Sequence, residues 1–154
     1  FSVGGLESSQ GTEEVNPQMT HLLYGIVKGK KVQSEHIKLV KLLFQEIQKN
    51  TDIVLEDKNL IRAKVNLLFP KHEGRLQKFL PHTDFLDKHR VILYYITNSD
   101  GETTLFENNG ETIIERVKPK KGRFIYFDGD MPHSSSNPVR SANRFVMNLN
   151  VSDK

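Results

Sequence analysis

The segment FLPHTDF, at residues 79–85, carries the pattern on which the fold prediction of this chain depends. Successive side chains of an extended segment point to opposite faces, so His82 and Asp84 lie on the same side of the chain and can bind one metal ion together. His133, at the end of the later segment DMPH, would complete a set of two histidines and one carboxylate. Such a facial set leaves coordination positions open and is typical of non-haem Fe(II).

The composition is that of one soluble globular domain. With 154 residues, 36% of them hydrophobic and 27% charged, the chain is expected to form a single domain over 1–154. No apolar run reaches the length that spans a bilayer, so we expect no membrane partner. The chain contains no cysteine, so a metal must be bound by His, Asp or Glu, and a reducing compartment such as the cytoplasm is expected.

The net charge of +3 is mild and does not by itself hold a nucleic acid at physiological salt. Two basic clusters, at 28–31 and 118–123, are interpreted as solvated loops rather than as phosphate-binding patches. A nucleic-acid partner is therefore not favoured by the charge.

The first 58 residues are predicted to be a flexible lead-in and two supporting helices. Residues 1–12 are rich in Gly and Ser and form the lead-in. A short amphipathic helix is predicted over 16–29, where an Asn-Pro start is followed by apolar residues at helical spacing. A second helix is predicted over 34–50, with an apolar stripe that would cover a sheet. His21 and His36 fall in these helices without partners at ligand spacing, so we interpret them as surface histidines.

From residue 59 the hydrophobic period changes from helical to two, which predicts a strand over 59–69. Further strands are predicted at 91–97, 103–106, 112–117, 123–127 and 143–151. Helices followed by a run of short strands favour a mainly β fold, in which supporting N-terminal helices pack against a sandwich or jelly roll. The β core is expected to occupy 59–151.

The same part of the chain resembles the Fe(II)- and 2-oxoglutarate-dependent dioxygenases, most closely the prolyl 4-hydroxylase-like branch. The features that carry the resemblance occur in the family's order: His82 and Asp84, VILYYI at 91–96, GETTLF at 101–106, KGRF at 121–124, His133, and RFVM at 144–147. The resemblance implies a double-stranded β-helix, a cupin-like jelly roll, with iron at its open mouth.

Residue by residue, the resemblance makes His82, Asp84 and His133 the iron ligands. It makes Arg144 and Tyr95 the partners of the distal carboxylate of 2-oxoglutarate, and a guanidinium suits that role because it offers a fixed pair of donors. The implied cofactors are Fe(II), 2-oxoglutarate as cosubstrate and O2, with ascorbate as a further candidate.

Several neighbouring residues bear on this assignment. Arg140 is the rival of Arg144, but it falls in a loop, whereas a strand that lines the barrel can orient Arg144. Phe79 stands where relatives often carry a tyrosine, which leaves Thr97 as a further hydroxyl partner for 2-oxoglutarate. His72 is interpreted as a loop residue. His89 is expected either to line the substrate entrance or to be exposed.

The implied activity is hydroxylation of an unactivated C–H bond in a peptidyl or amino-acid substrate, most closely of a prolyl residue. Asp84 supports hydroxylation, because relatives that halogenate leave that carboxylate position empty for a halide. Three alternatives remain open: an oxygenase of the same superfamily that acts on nucleic acid or another small molecule, a non-catalytic jelly roll that binds a partner, and a zinc hydrolase with the same ligands.

Overall fold

The computed structural model describes residues 2–6, 16–70 and 79–153. The strands are β1 Ser2–Leu6, β2 Asn16–Val27, β3 Lys30–Gln33, β4 Leu60–Leu68, β5 His89–Tyr95, β6 Thr103–Phe106, β7 Ile113–Val117, β8 Phe124–Asp128, β9 His133–Ser135 and β10 Arg144–Ser152. Helix α1 is Lys38–Asn50, and short 3-10 turns at Glu35–Ile37 and Asp57–Asn59 flank it. None of the helices in these ranges is long and apolar enough to cross a membrane.

Two antiparallel sheets make up the described fold. The larger has the order β1-β2-β4-β10-β5-β8, with β3 paired to β2, and the smaller has the order β7-β6-β9. Each sheet contains neighbours that are far apart in sequence, β4 beside β10 in the larger and β6 beside β9 in the smaller. From β7 to β10 successive strands alternate between the two sheets, as in a jelly roll. The predicted jelly-roll fold is confirmed.

Helix α1 covers the outer face of the larger sheet. Its residues Val40, Phe44 and Ile47 are buried, and they pack in one cluster with Ala63 of β4 and Leu149 of β10. The predicted helix over 34–50 is confirmed, except that its first turn is a 3-10 turn capped by Ser34, whose Oγ accepts a hydrogen bond from the His36 N–H.

The helix predicted over 16–29 is wrong, because this segment forms strand β2. Strand β4 needs a partner on its free edge, and β2 supplies one from Gln18 opposite Leu68 to Tyr24 opposite Ala63. A bulge after Leu22 breaks the alternation of the strand, so that the apolar residues acquire a helix-like spacing in the sequence. The expected surface histidine His21 therefore lies on a strand.

Two turn and terminal features of this region also differ from the prediction. Part of the expected flexible lead-in, Ser2–Leu6, is strand β1 and pairs with β2, while 7–12 lies outside the described residues. Gly29 does not end a helix: Lys28 and Gly29, with φ of 49° and 75°, form the tight turn between β2 and β3. Positive φ at both central residues is what the two-residue hairpin turn requires.

The strand predictions after residue 59 agree with the structure to within a few residues. The main omission is β9, since no strand is predicted from the sequence between 127 and 143. Three residues of strand carry too little alternation to be recognised, and their pairing with β6 is a tertiary contact.

Candidate functional site

The two histidines of the predicted metal set are brought together by backbone pairing. His133 begins β9, and His82 forms an isolated antiparallel bridge with it, in which each residue's N–H donates to the other's carbonyl at 3.0 Å. Residues directly opposite in such a bridge project side chains to the same face. The two imidazole rings consequently lie 4.8 Å apart between centroids, at the mouth of the cavity between the sheets.

Both imidazoles are oriented by the same local contact. In His82 and in His133, Nδ1 lies 3.3 Å from the backbone carbonyl two residues earlier, Leu80 O and Met131 O respectively. A carbonyl can only accept, so Nδ1 carries the hydrogen, and in the neutral imidazole Nε2 then keeps its lone pair. This arrangement, in which one ring nitrogen is fixed by a carbonyl, is the usual preparation of a histidine for metal binding.

Asp84 completes the group from the opposite wall. Its side chain is only 3% exposed. One carboxylate oxygen forms an ion pair with Arg62, and the other accepts hydrogen bonds from Asn148 Nδ2 at 3.1 Å and Asn150 Nδ2 at 2.9 Å. Arg62 and the two asparagines lie on the inner faces of β4 and β10, so the larger sheet positions this carboxylate.

The protonation states of Asp84 and His133 suit a metal ion. One potential ligand atom from each of His82, Asp84 and His133 lies within 4.8 Å of the others. Burial alone would raise the pKa of Asp84, but Lys64, Arg62 and the Asn150 hydrogen bond hold it well below its ordinary value. Burial lowers the pKa of His133 to about 4. At neutral pH the group therefore offers an ionised carboxylate beside a neutral imidazole, and the site could hold Fe(II).

The far end of the cavity is built around Arg144, the first residue of β10. Its side chain is 3% exposed; Nε donates to the Gly101 carbonyl at 3.1 Å, and Nη2 donates to Thr103 Oγ1 at 2.7 Å. Gly101 also permits the close approach of the backbone at 136–138, because a Cβ there would lie 2.6 Å from the backbone oxygen of Ser136.

The positive charge of Arg144 has no carboxylate partner among the described residues. Burial lowers its pKa to about 10, which leaves the guanidinium charged at neutral pH. A buried cation without a counter-ion is costly, and a guanidinium donor pair matches a carboxylate. Arg144 lines the cavity, so this end of the site fits the distal carboxylate of a 2-oxo diacid.

Tyr95 lies beside Arg144 but is fully buried, and its hydroxyl donates to Thr103 Oγ1 at 2.8 Å. Burial raises its pKa, so the phenol keeps its hydrogen. Thr103 thus accepts from both Tyr95 and Arg144, and its own hydroxyl hydrogen is left for a third group. Thr103 lines the cavity and Tyr95 does not, so of these two residues Thr103 is the one that can present its hydroxyl to a bound molecule.

The other residues considered from the sequence lie away from the cavity. Thr97 Oγ1 accepts from the Phe145 N–H at 3.1 Å, and Phe79 is buried. Arg140 has a side chain 90% exposed and pairs with Asp100. His89 neither lines the entrance nor is exposed: it is 2% exposed, with Nδ1 2.7 Å from the Asp87 carbonyl. His72 lies outside the described residues.

Five site residues were missed from the sequence: Arg62, Lys64, Thr103, Asn148 and Asn150. A signal for them exists, since Arg62 and Lys64 alternate with the apolar residues of β4. The polar half of that alternation faces the cavity and not the solvent, which the period alone does not reveal.

The comparison with known proteins agrees with this geometry. The sequence model of the 2OG-Fe(II) oxygenase superfamily matches residues 67–152, more than half of the chain. The chain belongs to this superfamily. The oxygenase uses Fe(II), 2-oxoglutarate and O2, and the set of His82, Asp84 and His133 is compatible with that chemistry. Membership favours an iron-dependent oxygenase over a zinc hydrolase and over a non-catalytic jelly roll that binds a partner.

Solved structures that are similar to the oxygenase include the following two. An oxidoreductase of the 2OG-Fe(II) oxygenase family from Burkholderia pseudomallei is 13% identical, with a TM-score of 0.72 over 98% of this chain and 72% of its own. A prolyl hydroxylase from Trichoplax adhaerens, in complex with a hypoxia inducible factor oxygen degradation domain peptide fragment, is 16% identical, with a TM-score of 0.63 over 99% and 70%. At these identities the similarity shows the fold. No curated protein sequence matches the chain.

Proposed function

We propose that this oxygenase hydroxylates an unactivated C–H bond in a peptidyl or amino-acid substrate, and that a prolyl residue is the best candidate. The observation that carries the proposal is the pairing of two sites in one cavity. A set of two imidazoles and one carboxylate lies at the mouth, and an uncompensated buried guanidinium lies at the far end.

In this proposal His82, Asp84 and His133 hold Fe(II), with both histidines binding through Nε2. Asn148 and Asn150 orient the carboxylate of Asp84, so that it need not reorganise when the ion binds. When bound, Fe(II) and 2-oxoglutarate supply the oxidation of a C–H bond by O2, in which one oxygen atom enters the substrate and the other enters succinate as carbon dioxide is released.

Arg144 binds the distal carboxylate of 2-oxoglutarate in this proposal. Thr103 adds a hydroxyl donor, because its oxygen already accepts from Arg144 and Tyr95. Tyr95 acts as a positioning residue that fixes the Thr103 rotamer. This modifies the role that the resemblance implied for Tyr95, since the buried phenol contacts Thr103 instead of the cavity.

Two considerations support hydroxylation of a prolyl residue. Asp84 occupies the carboxylate position, so no position is left for a halide on that side of the metal. A prolyl hydroxylase from Trichoplax adhaerens, crystallised with a peptide fragment, has a similar fold. A peptide is accommodated most easily if the substrate enters at the mouth, where His82 is exposed.

An anaerobic titration of the Fe(II)-loaded protein with 2-oxoglutarate tests the site. The visible charge-transfer band of the chelate should appear in the wild type. In Arg144→Met, which keeps the side-chain bulk but removes the charge, the band should require roughly 30-fold to 1,000-fold more 2-oxoglutarate, because a buried charge partner is lost. Circular dichroism of the variant provides the control for folding.

Admission of O2 with a proline-containing peptide then tests the substrate by mass spectrometry. The peptide should gain one oxygen atom, and its analogue with 4,4-difluoroproline should not. An unchanged titration in Arg144→Met would contradict the proposed role of Arg144. A normal band without oxidation of any prolyl peptide would leave the oxygenase assignment intact and remove the prolyl proposal.

A further inference from the structure

Lys64 is a cavity residue whose charge is poorly satisfied. Its side chain is only 20% exposed, and it lines the same cavity as His82, His133 and Arg144. Within the described ranges its ammonium group donates no hydrogen bond, and its nearest carboxylate oxygen is Asp84 Oδ1, at 3.9 Å. An ammonium has three donors, so a mostly buried one that uses none is missing a partner.

Asp84 does not satisfy this demand, because other groups already use it. The oxygen nearest Lys64 pairs more closely with Arg62, which also donates to Asn150 Oδ1 at 3.1 Å and stacks on Phe85. The other oxygen is taken by the two asparagine amides. If Asp84 also binds a metal ion, still less of its charge remains for Lys64.

The sum of the charges around the cavity also indicates that Lys64 lacks an anionic partner. Arg62, Lys64 and Arg144 are cations, and Asp84 is the one carboxylate among the described residues that contacts any of them. Fe(II) and the dianion 2-oxoglutarate neutralise each other, so they leave this balance unchanged. The loaded site would therefore retain two positive charges in a largely buried space, where further negative charge is favoured.

We propose that Lys64 forms an anion subsite for the substrate, and that the substrate carries a carboxylate near the carbon that is oxidised. This inference rests on the proposed function, because it concerns the substrate of that same site. Asn66 adjoins the subsite: it lies two residues from Lys64 on the same face of β4 and also lines the cavity.

The contacts of Asn66 suit a carboxylate. Asn66 Oδ1 accepts a hydrogen bond from Thr20 Oγ1 at 3.2 Å, whereas Asn66 Nδ2 donates none within the described part of the chain. Lys64 and Asn66 thus offer one charged and one neutral donor to the two oxygens of a carboxylate. An acidic side chain next to the reacting residue and the α-carboxylate of a free amino acid share this chemistry.

Ligand-induced shifts in melting temperature, measured anaerobically on protein loaded with Fe(II) and 2-oxoglutarate, test the subsite and separate its sources. One probe pair is L-proline and L-prolinamide. The other is the amide-capped dipeptide N-acetyl-prolyl-glutamate and its glutamine counterpart. At least one carboxylate probe should bind about tenfold or more tightly than the partner that lacks the carboxylate.

Three lysine variants decide whether Lys64 causes this preference. Lys64→Gln should abolish it, Lys64→Arg should preserve it, and the exposed control Lys58→Gln should resemble the wild type. No preference in the wild type, or a preference that survives in Lys64→Gln, would overturn the inference. The 2-oxoglutarate titration reports separately on the proposed function, and the comparison between variants remains decisive whether or not that band forms.

Discussion

The two faces of the larger sheet divide the work of this oxygenase between them. On β10, the residues Met147, Leu149 and Val151 face the helix side and belong to one apolar cluster. The intervening residues Asn148 and Asn150 face the cavity and hold Asp84. Successive residues of β10 thus pack against the helix side or face the cavity in turn, because the side chains of a strand point alternately to its two faces.

The difference teaches that burial has opposite consequences on the two faces. On the outer face, burial of Phe44 and Leu149 removes apolar surface from water and stabilises the fold. On the inner face, burial leaves Arg144 without a carboxylate partner in the described chain, and a bound dianion would relieve that cost. Stability should therefore respond to changes on the outer face, and ligand binding to changes on the inner face.

Replacement of His82 is expected to produce the largest effect on activity. It should also distinguish the two faces best, because stability should hardly change. His82→Ala removes one proposed ligand, so turnover of 2-oxoglutarate without substrate should fall at least about a hundredfold. His82 is exposed, so the free energy of unfolding of the metal-free protein should change by less than about 0.5 kcal/mol. Succinate formation and urea unfolding measure the two quantities.

The matched control is His36→Ala, which removes another exposed histidine away from the cavity and should leave both quantities unchanged. Full turnover in His82→Ala would remove the proposed ligand set. A large loss of stability in the metal-free variant would show that the mouth of the cavity is part of the folding core, which would break the division between the faces.

Replacement of Phe44 tests the outer face. Phe44→Ala truncates a side chain that is 2% exposed in the cluster between α1 and the sheet, and it should cost about 3–5 kcal/mol of stability. Under conditions where the variant remains folded, its affinity for 2-oxoglutarate should match that of the wild type. Leu42→Ala, at a helix position 55% exposed, should cost much less. A markedly weaker affinity in folded Phe44→Ala would mean that the two faces are coupled.

The fold could be predicted mainly where the pattern of apolar and polar residues matches which side chains are buried and which are exposed. The strands after residue 59 and helix α1 have regular patterns, and those predictions are confirmed. Strand β2 was mistaken for a helix, because the bulge after Leu22 interrupts its alternation and its partner β4 is a distant part of the chain. The pattern of apolar residues within β2 contains no information about the backbone hydrogen bonds that the edge of β4 needs.

Of the candidate site, the sequence predicts the proposed metal-ligand set and Arg144, and the roles of these residues stay predictions. His82 and Asp84 are neighbours in sequence, so their joint role follows from spacing. Arg62 and Lys64 converge on Asp84 only through the pairing of strands, and their charges resemble those of a solvated strand face in the sequence. For Tyr95 the sequence indicates an inward side chain, whereas the partner of its hydroxyl, Thr103, depends on the approach of two sheets.

Asp100 lies in a loop outside both faces, and its replacement should give the smallest effect. Its carboxylate accepts from the N–H groups of Val139, Arg140 and Ser141, just before β10. Burial alone would raise the pKa of Asp100. The hydrogen bonds from these backbone N–H groups together lower it by more, so the pKa lies well below the ordinary value of 3.8. A group with a lowered pKa in the folded state stabilises the protein above its unfolded-state pKa, and this contribution is lost as the pH falls toward the folded-state value.

Asp100→Asn should therefore cost about 1 kcal/mol at neutral pH, and its difference from the wild type should shrink as the pH falls below about 4. Urea unfolding of both metal-free proteins across this range measures the difference, and Asp52→Asn, which replaces an exposed aspartate, is the matched control. Because the loop precedes Arg144 and adjoins Gly101, a concurrent fall in 2-oxoglutarate affinity would extend the functional face beyond the sheet into the loop that supports it. A stability difference that grew in acid would contradict the charge-based account, since protonation removes the negative charge that distinguishes Asp100 from asparagine.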